Sequence, residues 1–284
     1  MSIKMSLNPD LARQFLNIMG ATVDEFRLHI SKEGWKVAAV DPANVALVII
    51  DLPKDNFDSY EFESDDNWTS SIDGHSTGVL EENIAVGVDV DKIKEFFGGM
   101  HEAEIVLDEE LHAPVECVFS IASGKYGRYQ LVLKQGMFSR KILLLPETEI
   151  RKEPKIPKLG LDYMLQLNTL EFQRIVKKAA KVSDYLRLGF RREEGSVTFT
   201  ASTVDSDDPW EASKQLHGWQ ALSDNARDSS SSLFSLDYLC DIVEKIPSET
   251  VWLHIGHDNP CILSFKIGRT GTIEYKIAPR VEAE

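Results

Sequence analysis

Asn168-Thr169-Leu170-Glu171-Phe172-Gln173-Arg174-Ile175-Val176-Lys177-Lys178-Ala179-Ala180-Lys181 writes two surfaces into one helix. Asn168 and Glu171 have capping-box spacing, with Asn in place of the usual Ser or Thr, so the helix starts here. Phe172, Ile175, Val176 and Ala179 recur at helical spacing and make an apolar face. Arg174, Lys177, Lys178 and Lys181 fall at i, i+3, i+4 and i+7. They occupy about a third of the circumference, almost opposite the apolar residues. Such a stripe is either a solvated face or a surface that tracks phosphates, where lysines act as point charges without reading sequence.

The same grammar recurs outward from this stretch. Asn8 precedes Pro9 at a first helical position, then Leu11, Phe15, Ile18 and Met19 on one face before Gly20. Asp89 precedes Ile93, Phe96, Phe97 and Met100, with Gly98 and Gly99 weakening the helix. Ser235 precedes Leu239, Ile242, Val243 and Ile246, and Pro247 ends that run. Between helices the period falls to two, the pattern of antiparallel strands joined by hairpins.

The order of these pieces is itself repeated. Arg27-Leu28-His29-Ile30 leads through Glu33-Gly34 to a strand closed by Asp41. Arg187-Leu188-Gly189-Phe190 leads through Glu194-Gly195 to a strand reaching Asp205. After the third helix, Glu104-Ile105-Val106-Leu107, Pro114, Val118-Phe119 and Tyr129-Gln130-Leu131-Val132 follow. After the fourth, Val251-Trp252-Leu253-His254, Pro260, Leu263 and Phe265, and Glu274-Tyr275-Lys276-Ile277 answer them. Self-similarity in fixed order marks a duplication. The expected fold is α+β, with two duplicated domains of helices packed on antiparallel sheets. Residues 1–142 and 161–284 form the domains, and the proline-bearing stretch 143–160, with Pro146, Pro154 and Pro157, is an extended connector. Residues 64–83 and 217–232 read as surface loops.

The chain has 284 residues, with 31 Lys plus Arg against 46 Asp plus Glu, a formal charge of −15. That balance argues against a general nucleic-acid binder, although net charge does not say where the charges sit. The longest apolar run, Val45 to Ile50, is far short of a membrane span, and no basic segment leading into an apolar one opens the chain. A cytoplasmic protein without a membrane partner is expected. Cys117, Cys240 and Cys261 have no C-x-x-C spacing and read as buried free thiols.

Four separate stretches, in order, resemble a known family. Gly34-Trp35-Lys36-Val37-Ala38-Ala39-Val40-Asp41-Pro42-Ala43-Asn44-Val45-Ala46-Leu47-Val48 is similar to the first-domain signature of the sliding clamps called proliferating cell nuclear antigen, archaeal type. Glu149-Ile150-Arg151-Lys152-Glu153-Pro154-Lys155-Ile156-Pro157 resembles their interdomain connector. Leu233-Phe234-Ser235-Leu236-Asp237-Tyr238-Leu239 resembles the entry to their fourth helix, and Ile277-Ala278-Pro279-Arg280-Val281-Glu282 their C-terminal tail. The resemblance runs from about Leu7 to the C-terminus.

It implies a DNA polymerase processivity factor: a homotrimeric ring closed around double-stranded DNA, opened by a clamp loader, tethering polymerase and other replication and repair enzymes. In an archaeon it would lie at the nucleoid. Positions matching the family's inner surface are Arg13, Lys92, Lys94, Arg174, Lys177, Lys178 and Lys181. The fourth helix departs from that pattern, since Asp237, Asp241 and Glu244 outweigh Lys245. Partners bearing a short Gln-aliphatic-aromatic-aromatic motif would dock on Val40, Asn44, Val45, Leu47, Ile156, Pro260, Ile277, Ala278, Pro279 and Val281. Taken alone, those apolar residues are ordinary core candidates. Family alignment places one subunit edge near residues 126–134 and its partner near residues 210–216.

No H-E-x-x-H, G-x-S-x-G or Walker loop is present, so no catalytic residue, metal ligand or cofactor is assigned. Gly124-Lys125-Tyr126-Gly127 reads as a hairpin turn. Asp205, Asp207 and Asp208 suit either an acidic turn or a divalent cation. They keep a competing reading open, a metal-dependent hydrolase on a duplicated α+β scaffold. A checkpoint-type clamp subunit in a hetero-oligomer is the nearer alternative.

Overall fold

The computed structural model describes residues 2–63, 83–98, 117–123, 129–135, 138–145, 149–156, 158–202 and 209–280. The first half of the chain runs β1 (Ser2–Leu7), α1 (Pro9–Met19), β2 (Glu25–Ser31), β3 (Gly34–Val40), β4 (Ala46–Pro53) and β5 (Ser59–Glu63). It continues β6 (Asn83–Asp89), α2 (Val90–Gly98), β7 (Cys117–Ser123), β8 (Tyr129–Gln135) and β9 (Phe138–Leu143). The second half repeats that order: β10 (Tyr163–Asn168), α3 (Thr169–Ala179), β11 (Tyr185–Arg191), β12 (Ser196–Ala201), β13 (Trp210–Gln215) and β14 (Trp219–Ala221). Then come β15 (Ser229–Ser235), α4 (Leu236–Glu244), β16 (Thr250–Ile255), β17 (Cys261–Ile267) and β18 (Gly271–Ile277).

Strand pairing makes the duplication explicit. The order β5-β1-β7-β8-β9 is answered by β14-β10-β16-β17-β18, and β4-β3-β2-β6 by β13-β12-β11-β15. The chain divides into two compact units that do not follow its halves. One comprises Met1–Ala38, Ile50–Glu153 and Ile267–Gly271; the other comprises Ala39–Ile49, Pro154–Lys266 and Thr272–Glu284. The tip of the β3–β4 hairpin therefore belongs to the second unit, and the β17–β18 turn to the first.

In the first unit α1 packs with α2, and buried Leu11, Phe15, Ile18 and Met19 of α1 face the core. Trp35 is the core's centre: its ring meets Phe15 edge-on at 5.8 Å and Phe57 at 4.9 Å, and its Nε1–H donates to Met5 Sδ at 2.9 Å. A burial of this size with its polar atom satisfied is what stabilises an indole inside a sheet-and-helix layer. Residues 150–153, within the stretch expected to be a connector, are fastened here too. Ile150 is buried over Gly87, where a β-carbon would lie 2.0 Å from its Cδ1, and Glu153 pairs with His29. The turn after β17 closes on Asn56. Its Oδ1 accepts from Arg269 N–H (2.7 Å) and Thr270 N–H (3.1 Å), while its Nδ2 donates to Pro53 O (3.0 Å).

In the second unit α3 packs with α4 and against β10, β11 and β12. Tyr163, Phe190 and Trp219 form one aromatic cluster, and Phe172 of α3 meets Phe199 at 5.9 Å.

Three expectations change. Residues 217–232 are not one loop: β14 lies within them, and Ser229-Ser230-Ser231-Ser232 opens β15, paired to β11. Alternation explains it, because Ser230 and Ser232 are buried and donate to Asp162 Oδ2 (2.5 Å) and Gly256 O (2.9 Å). Serines satisfied this way act as a strand's inward face. The edge placed at residues 126–134 is also wrong, since β8 is flanked by β7 and β9, and β9 lies at the end of that sheet. Only half of the capping box forms: Asn168 Oδ1 accepts from Glu171 N–H at 3.0 Å, but the Glu171 carboxylate pairs with Lys214 instead. The proposed turn 124–127, the Asp205, Asp207 and Asp208 cluster, and residues 64–82 lie outside the described residues.

Asn56→Ala leaves part-buried main-chain donors and an acceptor unmatched. We expect a loss of about 2 kcal/mol and a melting temperature lower by about 5 °C, read by differential scanning calorimetry.

Candidate functional site

The helix α3 turns its two surfaces as its spacing requires. Phe172, Val176 and Ala179 are buried, Ile175 is half-buried, and Arg174, Lys177, Lys178 and Lys181 are exposed. Lys181 lies just past the helix end, its N–H donating to Lys178 O at 3.2 Å. Alongside runs α4, with Leu236, Leu239, Ile242 and Val243 buried and Asp237, Asp241 and Glu244 exposed. Gln173 Nε2 donates to Val243 O at 3.0 Å and joins the two helices. One acid crosses to the basic stripe: Glu244 accepts from Lys177 Nζ at 3.3 Å and from Lys245 Nζ at 3.2 Å. The hydrogen bonds from Lys245 and Lys177 hold its carboxyl below the usual range. Arg174, Lys178 and Lys181 have no acidic partner among the described residues. They are open cations, and Lys177 is a shared one.

The basic positions of the first unit are more engaged. Arg13 donates to Asp10 Oδ1 at 2.8 Å, and its side chain is 24% exposed. Lys92 pairs with Asp89 at 2.8 Å, a contact that raises the lysine's pKa. Lys94 is half-buried against the end of α1, where a β-carbon on Gly20 would come within 2.1 Å of its Nζ. Exposed pairs of this kind contribute little to stability and exchange readily, so Arg13 and Lys92 can still turn to an anion.

The second unit gathers the other group of candidates. Val40, Asn44, Val45, Leu47, Ile156, Pro260, Ile277, Ala278 and Pro279 all belong to it, and Val281 lies outside the described residues. Ala278 N–H donates to Val45 O at 2.8 Å, which ties the hairpin tip to the strand before the tail. Leu47 (7% exposed) and Ile277 (0%) are core. Val40, Val45, Pro260, Ala278 and Pro279 are half-exposed, Asn44 is exposed, and Ile156 is 52% exposed. The tail is fastened by Arg280, whose N–H donates to Leu233 O at 2.7 Å and whose guanidinium sits 4.9 Å from the Tyr185 ring centre.

Two residues of this region, Asp41 and Tyr238, are not marked as site residues by the sequence. Asp41 is buried (3% exposed) and organises the turn that carries Asn44 and Val45. Its Oδ1 accepts from Val45 N–H (2.6 Å) and Ala46 N–H (2.7 Å), and its Oδ2 from Ala43 N–H (2.9 Å) and Tyr238 O–H (2.7 Å). Asn44 takes φ +60°, a conformation Asn tolerates better than most residues. Burial, then the bond to Asp41 and its charge, push the Tyr238 phenol up to about 12, so it stays a donor at any physiological pH. For Asp41 a signal exists in Asp41-Pro42-Ala43-Asn44, since an Asp ahead of turn residues bonds the backbone that follows it.

Comparison with known proteins adds the following. The family model for the proliferating cell nuclear antigen C-terminal domain matches residues 155–280. A DNA polymerase sliding clamp of Methanococcoides burtonii is 33% identical over 286 residues, covering 99% of each chain. One of Methanosarcina barkeri is 31% identical over the same length, again at 99% of each. Among solved structures, Archaeoglobus fulgidus PCNA bound to the C-terminal region of FEN-1 superposes with a TM-score of 0.76 at 26% identity, covering 99% of this chain and 100% of the other.

Among the described residues no group of three His, Cys, Asp or Glu could hold a metal ion, and no helix is long and apolar enough to cross a membrane. Neither described thiol is an activated nucleophile. Complete burial pushes the Cys261 pKa far up. Burial and then Asp241 and Asp237 raise that of half-buried Cys240. A thiolate is the reactive form. At pH 8, iodoacetamide is therefore expected to leave native Cys261 unmodified and to label Cys240 several-fold more slowly than free cysteine, measured by peptide mass spectrometry.

Proposed function

The chain belongs to the family of DNA polymerase sliding clamps, and we propose that it acts as a homotrimeric ring around duplex DNA without catalysing a reaction itself. In this reading it holds polymerase and other replication and repair enzymes at the template, in the cytoplasm at the nucleoid. Domains 1–142 and 161–284, joined by connector 143–160, are its repeating parts.

One observation carries the ring. β9 and β13 are edge strands, and their counterparts in the duplication, β18 and β4, are hydrogen-bonded neighbours within this chain. The same chemistry repeated between copies pairs β9 of one with β13 of the next. That pairing covers two edges which would otherwise invite uncontrolled association.

Around the DNA, Arg174, Lys178 and Lys181, with Lys177, Arg13, Lys92 and Lys94 in support, meet phosphates without reading bases. A closed ring retains DNA by topology, so weak, exchanging contacts suffice and favour sliding. Clients dock an aromatic-bearing peptide on the half-exposed apolar residues beside the Asp41 turn, where aromatic anchors would supply most of the binding energy. The A. fulgidus clamp carries the C-terminal region of FEN-1 bound to it, and that complex supports a docked client segment here.

The deciding experiment is clamp-loader-dependent primer extension on a circular template; products no longer than those made without the protein would reject the reading. Light scattering is expected to give three times the 32.0 kDa chain mass. Replacing Lys177, Lys178 and Lys181 together by alanine should leave that mass intact. It should also flatten the dependence of log K on log salt by about 2 to 3, at about 0.9 per phosphate contact. Glu244→Gln frees Lys177 and should strengthen duplex binding by about threefold at low salt, in line with an exposed ion pair; a gel-shift titration showing no gain refutes the competition. Val45→Asp should abolish the calorimetric heat of client-peptide binding.

A further inference from the structure

Asp41 has more donors than its own turn supplies. Three come from the backbone of Ala43, Val45 and Ala46; another is the Tyr238 phenol, 197 residues along the chain and on α4. The two ends of that contact stand on elements that are packed differently. Tyr238 stands on a helix whose Leu236, Leu239, Ile242 and Val243 are buried and which α3 holds through Gln173. Pro42, Ala43 and Asn44 are exposed, and among the described residues only the Asp41 carboxylate bonds the Ala43 N–H. A buried carboxylate deprived of one donor turns toward another or draws in water, and the N–H groups it holds move with it.

We propose that Tyr238 is a positioning residue for client docking: through Asp41, its phenol holds the turn presenting Asn44 and Val45 in the shape the peptide meets. The proposal rests on the docking reading above and names a residue of that site outside the apolar surface. Holding the turn in advance removes an ordering cost from binding, so affinity depends on a side chain the peptide does not touch.

The probe is a synthetic peptide with Gln, an aliphatic residue and two adjacent aromatics, titrated by calorimetry into the full chain. Tyr238→Phe keeps the ring and deletes the donor; it is expected to weaken the peptide about tenfold, equal to about 1.4 kcal/mol. Amide exchange at Val45 and Ala46 should quicken in the same variant. Asn56→Ala is the control for lowered stability alone and should bind as the unsubstituted chain does. Equal affinity of Tyr238→Phe and the unsubstituted chain overturns the proposal, as does equal weakening in Asn56→Ala. Failure of the docking reading looks different: the unsubstituted chain then does not bind, or binds as well with Val45→Asp.

Discussion

A β-strand has two rows of main-chain donors and acceptors, and both must be matched or left to water. That requirement orders this molecule. Once a unit of strands and helices is duplicated, every strand inherits the same neighbours, and the strands at the margin inherit the same vacancy. Within the chain one such margin is filled, where β18 meets β4. Another, β9 and β13, has the same backbone demand and no strand partner on its outer side among the described residues. Oligomerisation, as in the proposed ring, is the way to meet it that the duplication itself suggests.

The helices answer a second demand. Their apolar faces pack inward, which leaves the opposite faces free to hold whatever charge function needs. On α3 that charge is uniformly positive along the stripe; on α4 it is mostly negative, and Glu244 reaches across to Lys177. A chain of net charge −15 thus concentrates unopposed cations on a small surface and moderates them with a neighbouring acid. For the proposed DNA contact, such moderation would suit a surface that slides along its ligand, because tight, fully desolvated pairs would hold it in place.

Much of this was legible in the sequence. The helix caps at Asn8 and Asn168, the buried and basic faces of α3, and the repeated order of strands follow from local periodicity and capping chemistry, which depend on neighbours a few residues away. What escaped depended on distant partners. Ser229-Ser230-Ser231-Ser232 looks like loop composition until Asp162 and Gly256 accept two of its hydroxyls. Asp41 looks like a strand end until Tyr238 arrives from α4. Leu47 and Ile277 fit the docking pattern by position, yet core packing claims them. Which strand lies at an edge is likewise a property of the whole pairing order, and β8 and β9 are equally strand-like alone.

The division of the chain into interleaved rather than successive units has a consequence for how a clamp of this kind forms. Because residues 39–49 complete the second unit, one contact of the repeating pattern is made between segments that a single polypeptide keeps close. Tethering raises their effective concentration to about the millimolar range, whatever the protein's abundance. The proposed equivalent contact, between β9 and β13 of separate copies, would have no tether and would obey mass action. Closure of the proposed ring would then scale with copy number in the cell, while the fold of each chain would not. In the proposed ring, dilution would open the intermolecular seams and leave the Asp41 turn, complete within one chain, intact.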